Sequence, residues 1–180
     1  TQVCKHFGIE CDKPADLSKW EKIVDVVAHP EGEVRIGVVG KYVQLLEAYK
    51  SLGEALNHGG IANHYKVKIK WIDSEDIEKD GAEAHLNDVS AVLVPGGFGS
   101  RGTEGKIKAI QYAREHKLPF FGICFGMQMA VIETMRHLAG AGDANTTEIA
   151  GSNCTPVIGL MTEWAKEGAK QIRTKDGDLG

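Results

Sequence analysis

A short apolar run, Pro119 to Ile123, is followed without a spacer by a helix-spaced apolar run from Phe125 to Leu138, and Cys124 stands at the joint. A strand that turns directly into a helix leaves the chain few directions to take. Glycines at 122 and 126 flank the cysteine symmetrically, in the pattern G-x-C-x-G. This is the cysteine form of a nucleophile elbow, in which a sharp strand-to-helix turn lifts the nucleophile out of the backbone. Side chains at the flanking positions would collide in so tight a turn, and glycine removes the Cβ. The helix that starts at Phe125 points its N–H groups and positive dipole end at the sulfur, which favours thiolate over thiol. A lone cysteine is more often a buried packing residue. The paired glycines and the strand-helix context favour a nucleophile here.

The chain has 180 residues, which suits one domain. Hydrophobic residues make up 42%, enough for a core and too many for disorder. A net charge of −4 argues against a general nucleic-acid surface. No apolar run is long enough to span a membrane. No signal peptide precedes Thr1-Gln2-Val3-Cys4, and no initiator Met is present, so a cytoplasmic location and an excised piece of a longer chain are expected. Cys4, Cys11, Cys124 and Cys154 form no C-x-x-C pair, which weakens zinc and thioredoxin-like readings and fits free thiols in a reducing compartment. The glycosylation patterns at Asn145 and Asn153 carry no meaning without secretion.

Taken in order, residues 1–15 read as a linker or the tail of a preceding element. Asp16 is placed to cap a helix bearing Trp20, Ile23, Val24 and Val27, ending by His29-Pro30. Val34 to Val39 is the first core strand, closed by Gly40. Leu45, Ala48, Leu52, Ala55 and Leu56 mark a helix that Gly59-Gly60 should stop. Tyr65 to Ile72 alternates, with Lys66, Lys68 and Lys70 on a solvated face. Asp73 to Asp88 is polar, with one short helical turn expected. Val89 to Val94 is a buried strand ending at Pro95-Gly96-Gly97, and Lys106 to His116 is amphipathic with Ile107, Ile110 and Ala113 inward. After the Cys124 strand and helix, residues 140–151 read as a loop, Pro156 to Met161 as a strand, and Gln171 to Thr174 as its possible partner.

Strands alternating with helices predict an α/β fold, a doubly wound and mostly parallel sheet covered on both faces. Ligands bind such sheets at the carboxyl ends of the strands. Gly40, Gly96-Gly97 and Cys124 all fall at such ends and should share one edge.

Gly97-Phe98-Gly99-Ser100-Arg101-Gly102 is literally G-x-G-x-x-G. A dinucleotide fingerprint wants an acidic residue at the end of the next strand, where this chain has Cys124. An oxyanion loop fits better, with a backbone N–H near Gly97 aimed above Cys124 and the N–H of Phe125 as second donor. A plain glycine turn remains open for Gly99 and Gly102. Gly37-Val38-Val39-Gly40-Lys41-Tyr42 lacks the spacing of a phosphate loop, and has Tyr where Ser or Thr should hold magnesium. His29-Pro30-Glu31 supplies a base and a carboxylate, but precedes the first strand and should lie at its amino end, away from Cys124. His116 and His137 end helices and are expected to do no more than cap them.

Val94-Pro95-Gly96-Gly97-Phe98-Gly99-Ser100-Arg101-Gly102-Thr103-Glu104-Gly105-Lys106-Ile107, with Gly122-Ile123-Cys124-Phe125-Gly126-Met127-Gln128, resembles the glutamine amidotransferase domain of the CTP synthase family. Val39-Gly40-Lys41-Tyr42, Ala48-Tyr49-Lys50-Ser51, Ile72-Asp73-Ser74, Asp143 to Glu148, Met161-Thr162-Glu163-Trp164 and Asp178-Leu179-Gly180 agree with it. The elbow alone indicates only class I amidotransferases; the glycine loop and the Gly-Lys-Tyr segment narrow it. The resemblance implies a class I amidotransferase-like, flavodoxin-like fold, with residues 1–32 as interdomain linker and leading helix and 33–180 as the amidotransferase domain. It implies that Cys124 attacks the side-chain amide of L-glutamine and forms a γ-glutamyl thioester. The ammonia released passes to a synthetase domain of the same chain, which aminates ATP-activated UTP. Gly97, Phe125, Gly126, Met127, Gln128 and Glu148 are then substrate-binding: Gly97 and Phe125 offer N–H groups to the carbonyl, and Gln128 and Glu148 contact the amino-acid end. Phe98, Gly99, Arg101 and Gly102 form the lid where the family senses its activator GTP. No cofactor or metal is implied for this domain; ATP, Mg2+ and GTP are implied for the full-length enzyme, a homo-oligomer and specifically a homotetramer.

Two departures stand out. Position 125 commonly carries Leu in the family and here is Phe, a bulkier side chain expected beside the thiolate. The family's catalytic His and Glu, and an Arg that binds the glutamine carboxylate, come after position 180. A non-catalytic module with an assembly or regulatory role is therefore an alternative, as is another elbow enzyme such as a cysteine hydrolase or a deglycase-like protein. The intact elbow speaks against the first, and Gln128 and Glu148 against the second.

Overall fold

The computed structural model describes residues 2–10, 15–41, 43, 45–97, 99–151, 153–159, 163–166 and 169–172. By internal contacts the chain forms two compact units, Thr1–Val34 with Lys50–Lys68, and Arg35–Tyr49 with Ile69–Gly180.

The first unit holds α1 (Gln2–His6), α2 (Ser18–Ala28) and α3 (Lys50–Ala62). Asp16 accepts the N–H of Ser18 at 3.0 Å, as its capping position predicts, although Leu17 is the boundary residue of α2. The expected stop at Gly59-Gly60 does not occur, since α3 continues to Ala62. Packing explains the glycine: a Cβ on Gly60 would stand 2.6 Å from the Tyr65 carbonyl. Within residues 1–15, read as a linker or the tail of a preceding element, lies α1.

β1 (Gly32–Gly40), β2 (Tyr65–Asp73), β3 (Ala91–Val94) and β4 (Phe120–Gly122) form a sheet of order β2-β1-β3-β4. β3 runs parallel to both neighbours, pairing Gly37 with Val92 and Val38 with Leu93 on one side, and Leu93 with Phe121 and Val94 with Gly122 on the other. This register brings the carboxyl ends of β1, β3 and β4 to one edge, as the sequence predicts. The α/β class with a mostly parallel sheet is thus borne out. Val38, Val39, Val92 and Val94 are fully or almost fully buried. Two buried-faced helices, α6 (Thr103–Glu115) and α7 (Phe125–His137), pack on one another, with Ile107, Ile110, Phe125, Met129 and Ile132 in the core.

Several connections are more ordered than their sequence suggests. The polar stretch after β2 folds as two helices, α4 (Ser74–Asp80) and α5 (Glu83–Leu86), where one turn is expected. Asp73 caps α4 by accepting the Glu75 N–H at 2.9 Å. The 140–151 stretch is not a loop throughout: it contains β5 (Ala144–Thr146) and α8 (Thr147–Ala150). β6 (Thr155–Ile158) pairs parallel with β5. β8 (Ala169–Ile172) pairs antiparallel with β7 (Glu163–Lys166), so the expected pairing of 171–174 with the 156–161 strand is replaced by a hairpin. The short β5 and β7 runs lack the apolar content that identifies core strands, which is why pattern reading passes over them. Tyr42, Met161, Thr162 and the final Asp178-Leu179-Gly180 of the sequence match lie outside the described residues.

One buried ion pair locks α6 to α7. Glu133 is 1% exposed and takes hydrogen bonds from Arg114 Nε at 3.0 Å and Nη2 at 2.8 Å. His137 Nδ1 lies 3.1 Å from the same carboxylate. Removing one partner strands a buried charge, whereas removing both leaves none. Arg114→Met should therefore lower stability, and adding Glu133→Gln should recover most of that loss. Urea unfolding of the two variants checks this; equal losses for the single and double variants would contradict it.

Candidate active site

The elbow is built by backbone contact. Gly126 sits so close to β3 that a Cβ there would lie 2.0 Å from the Val94 carbonyl oxygen. A Cβ on Gly122 would meet the Met127 nitrogen at 2.7 Å and the Gly126 carbonyl at 2.8 Å. All three distances are shorter than a real Cβ shows, so the flanking glycines are a steric requirement of the turn. Between them Cys124 adopts φ 52° and ψ −109°, a left-handed φ at a residue with a Cβ and outside the ordinary left-handed helical well. Such backbone costs on the order of 1–3 kcal/mol and clusters at functional sites. The Ile123 N–H donates to Val94 O at 2.9 Å, and the Gly126 N–H to Ile123 O at 2.9 Å, which closes the turn. The Met127 and Gln128 N–H groups donate to Cys124 O at 3.1 and 3.2 Å. The cysteine is exposed and its thiol free. Cys4 and Cys154 are also free, and Cys11 lies outside the described residues.

The glycine loop follows β3 at the same edge. A Cβ on Gly96 would be 3.5 Å from Cys124 Cβ, which places the two turns in contact. Gly97 has φ 133°, a conformation that side-chain-bearing residues rarely adopt. Gly99 and Gly102 also have positive φ, at 96° and 69°. The loop is pinned at both ends. Arg101 donates to Glu75 at 2.8 Å and to the Lys41 carbonyl at 2.9 Å, and the Thr103 hydroxyl donates to Gly99 O at 3.1 Å. Phe98 lies outside the described residues.

Of the other predicted residues, Phe125 and Gly126 are buried in the first turn of α7, and Met127 is 57% exposed. Gln128 is half-buried in that same turn. Glu148 is exposed in α8, where its N–H donates to the Thr146 hydroxyl at 3.3 Å. No hydrogen bond among the described residues links its carboxylate to the elbow. The bulkier Phe125 ring is 0% exposed and belongs to the hydrophobic core.

The histidines behave as their positions predict. His29 pairs with Asp25 at 3.0 Å, not with Glu31, and both groups are exposed. His116 Nδ1 lies 2.9 Å from Tyr112 O, and its ring stacks on Tyr112. His137 closes α7 against Glu133. Among the described residues no imidazole is hydrogen-bonded to Cys124, and no group of three His, Cys, Asp or Glu side chains could hold a metal. No helix there is long and apolar enough to cross a membrane.

Sequence reading misses Lys106. It is 0% exposed, and its Nζ donates to the Gly97 carbonyl at 3.2 Å. The same Nζ stands 5.0 Å from the centre of the Phe125 ring. Burial first, then the charges of Lys41 and Arg101, push its amine down from 10.5 to about 8. A lysine beside an inward-facing Ile107 reads as the solvated edge of an amphipathic helix, so only the fold exposes its position.

The class I glutamine amidotransferase family model matches residues 44–175. The chain belongs to that family. Among curated amidotransferase relatives, a CTP synthase of Rhodospirillum centenum is 61% identical over 180 residues, covering 100% of this chain and 33% of that protein. A CTP synthase of Gluconobacter oxydans is 58% identical, covering 99% of this chain and 33% of its own length. The chain thus spans about a third of the relatives it matches. Among solved structures it is similar to a Trypanosoma brucei CTP synthase glutaminase domain with bound acivicin, with TM-score 0.66 and 39% identity, covering 71% of this chain and 50% of that one.

Lys106 gives the stability of the fold a pH signature. Below about pH 8, Lys106 is protonated in both the folded and the unfolded chain, and its full burial cost stands. From about 8 to 10.5 the unfolded chain binds more protons than the folded one, so stability rises with pH in that window. Unfolding midpoints of wild type and Lys106→Met, compared from pH 7 to 10, should converge in favour of wild type as pH rises. A constant difference would contradict the buried ammonium.

Proposed function

We propose that this chain is the glutaminase part of a CTP synthase, hydrolysing glutamine to supply ammonia for the amination of UTP. The observation that carries the reading is the strained, exposed Cys124 between two sterically required glycines, in a chain of the amidotransferase family. A module without catalysis would have no use for that strain.

In the proposed reaction the Cys124 thiolate attacks the side-chain carbonyl carbon of glutamine. The carbonyl π electrons move to oxygen, and the N–H groups of Gly97 and Phe125 stabilise the oxyanion. Its collapse expels the amide nitrogen, which takes a proton and leaves as ammonia, giving a γ-glutamyl thioester. Water then attacks the thioester and releases glutamate and thiol. Gln128 and Glu148 are proposed to hold the amino-acid end of the substrate, with Gly126 and Met127 shaping the pocket floor. The thiol needs a base. His29, His116 and His137 are engaged elsewhere, and we assign the base, its carboxylate partner and the binder of the glutamine carboxylate to the rest of the protein. Residues 1–32 are read as linker and leading helix, and 33–180 as part of the amidotransferase domain.

The lid of Phe98, Gly99, Arg101 and Gly102 is the proposed place of GTP activation, and the cations Arg101 and Lys41 suit a polyanionic effector. ATP and Mg2+ are expected to act in the rest of the full-length protein. They are assigned to the synthetase domain, together with UTP. The full-length protein is expected to work as a cytoplasmic homo-oligomer.

In the full-length protein, Cys124→Ser should abolish glutamine-dependent CTP formation and spare synthesis from added ammonia. Gly97→Pro deletes a donor N–H and forbids a φ of 133°. It should lower the glutamine-dependent rate by about 10²–10³, again sparing the ammonia-dependent one. Unchanged glutamine-dependent rates in Cys124→Ser would refute the function, and in Gly97→Pro alone would refute the oxyanion role.

A further inference from the structure

Lys106 occupies an unfavourable place on every electrostatic count. It is the fourth residue of α6, so its charge lies in the first turn, where the helix dipole repels cations. It is fully buried. Lys41 and Arg101 are the nearby charges that act on it, and both are positive. Among the described residues it has no carboxylate partner. Ordinary packing would put an apolar side chain here, because a buried charge without a partner costs several kcal/mol.

Its remaining contacts are specific. The Nζ reaches back over the start of α6, as the tilt of helical side chains directs, and donates to Gly97 O at 3.2 Å. It also stands over the Phe125 ring at 5.0 Å, within range of a cation–π contact. Gly97 and Phe125 are the two residues assigned above to the oxyanion. One ammonium therefore touches the carbonyl of the first and the side chain of the second.

We propose that Lys106 is a positioning residue for the oxyanion site: its ammonium holds the Gly97 carbonyl, and so fixes the direction of the Gly97 N–H, against the start of α7. The inference rests on the glutaminase reading. Gly97 has no side chain to lock its rotation, and at φ 133° its peptide planes are held only by what they bond to. A hydrogen bond from a charged donor is roughly twice as strong as a neutral one. Anchoring the carbonyl that leaves Gly97 sets the plane of the following peptide, and through ψ and φ of Gly97 together it restricts the direction of the N–H that precedes it. The role is made before substrate arrives and is used most when charge develops on the substrate oxygen.

The test uses the full-length protein with Lys106→Met, which keeps length and volume and removes the charge. Glutamine hydrolysis should lose about 10–100-fold in kcat with the KM for glutamine within about twofold, since the interaction serves the transition state. Alkylation of Cys124 by iodoacetamide, which develops no oxyanion, should keep its rate, and ammonia-dependent synthesis should survive. An unchanged kcat would overturn the proposal, and so would a fall in alkylation matching the fall in kcat, because Lys106 would then act on the thiol. Should Lys106→Met not fold, Lys106→Arg keeps the charge but moves the donor, and the same split in kcat is expected; a wild-type kcat in that variant would overturn the fixed geometry. Wild type and Cys124→Ser run alongside. Equal glutamine turnover in those two would refute the glutaminase reading and the inference with it, whereas normal controls beside an unaffected Lys106→Met would refute the inference alone.

Discussion

The approach of α7 to β3 at Gly126 and Val94 governs the rest of the site. With a Cβ the two backbones would need to separate by more than an ångström, because the clash would be at 2.0 Å. Their contact lets β4 pass into α7 through Ile123 and Cys124 alone, and Cys124 takes φ 52°. The strain at Cys124 is thus a consequence of where a strand and a helix are held. The register of β3 with β4, Val94 opposite Gly122, then carries the turn to the edge where β3 releases the glycine loop. A frame of buried valines and a locked helix pair holds the strained nucleophile in place, and the same strain would be lost by relaxation in a looser one.

A second constraint acts on the loop side. Glycines at 97, 99 and 102 all have positive φ, so the loop has no intrinsic shape of its own. Its shape comes from side chains that reach in: Arg101 to Glu75 and Lys41, Thr103 to Gly99, and Lys106 to Gly97. All three side chains belong to the loop or the first turn of α6, so movement of that helix end is coupled to the loop above Cys124. An effector that competes for Arg101 would act on the geometry of the amide groups without touching the thiol.

The elbow was legible in sequence because steric exclusion leaves a compositional trace: Gly122 and Gly126 cannot be anything else. The core strands were legible in Val34–Val39 and Val89–Val94 because burial on both faces demands continuous apolar residues. Gly59-Gly60 misled, since glycine serves close packing inside a helix as well as ending one. The strand at Ala144–Thr146 and the helix at Thr147–Ala150 were hidden because short polar elements are fixed by tertiary pairing and not by periodicity. Lys106 was hidden for a different reason. A buried cation violates the pattern that sequence reading relies on, and its significance lies in a carbonyl nine residues earlier in the chain.

The central claim is that Cys124 becomes covalently acylated by glutamine. Acid quenching of the full-length protein during steady-state glutamine turnover, followed by peptide mass mapping, tests it directly. The account predicts a γ-glutamyl adduct on the peptide containing Cys124 and on no peptide containing Cys4, Cys11 or Cys154. Turnover with an adduct on another cysteine, or with none that hydroxylamine can release, would contradict it.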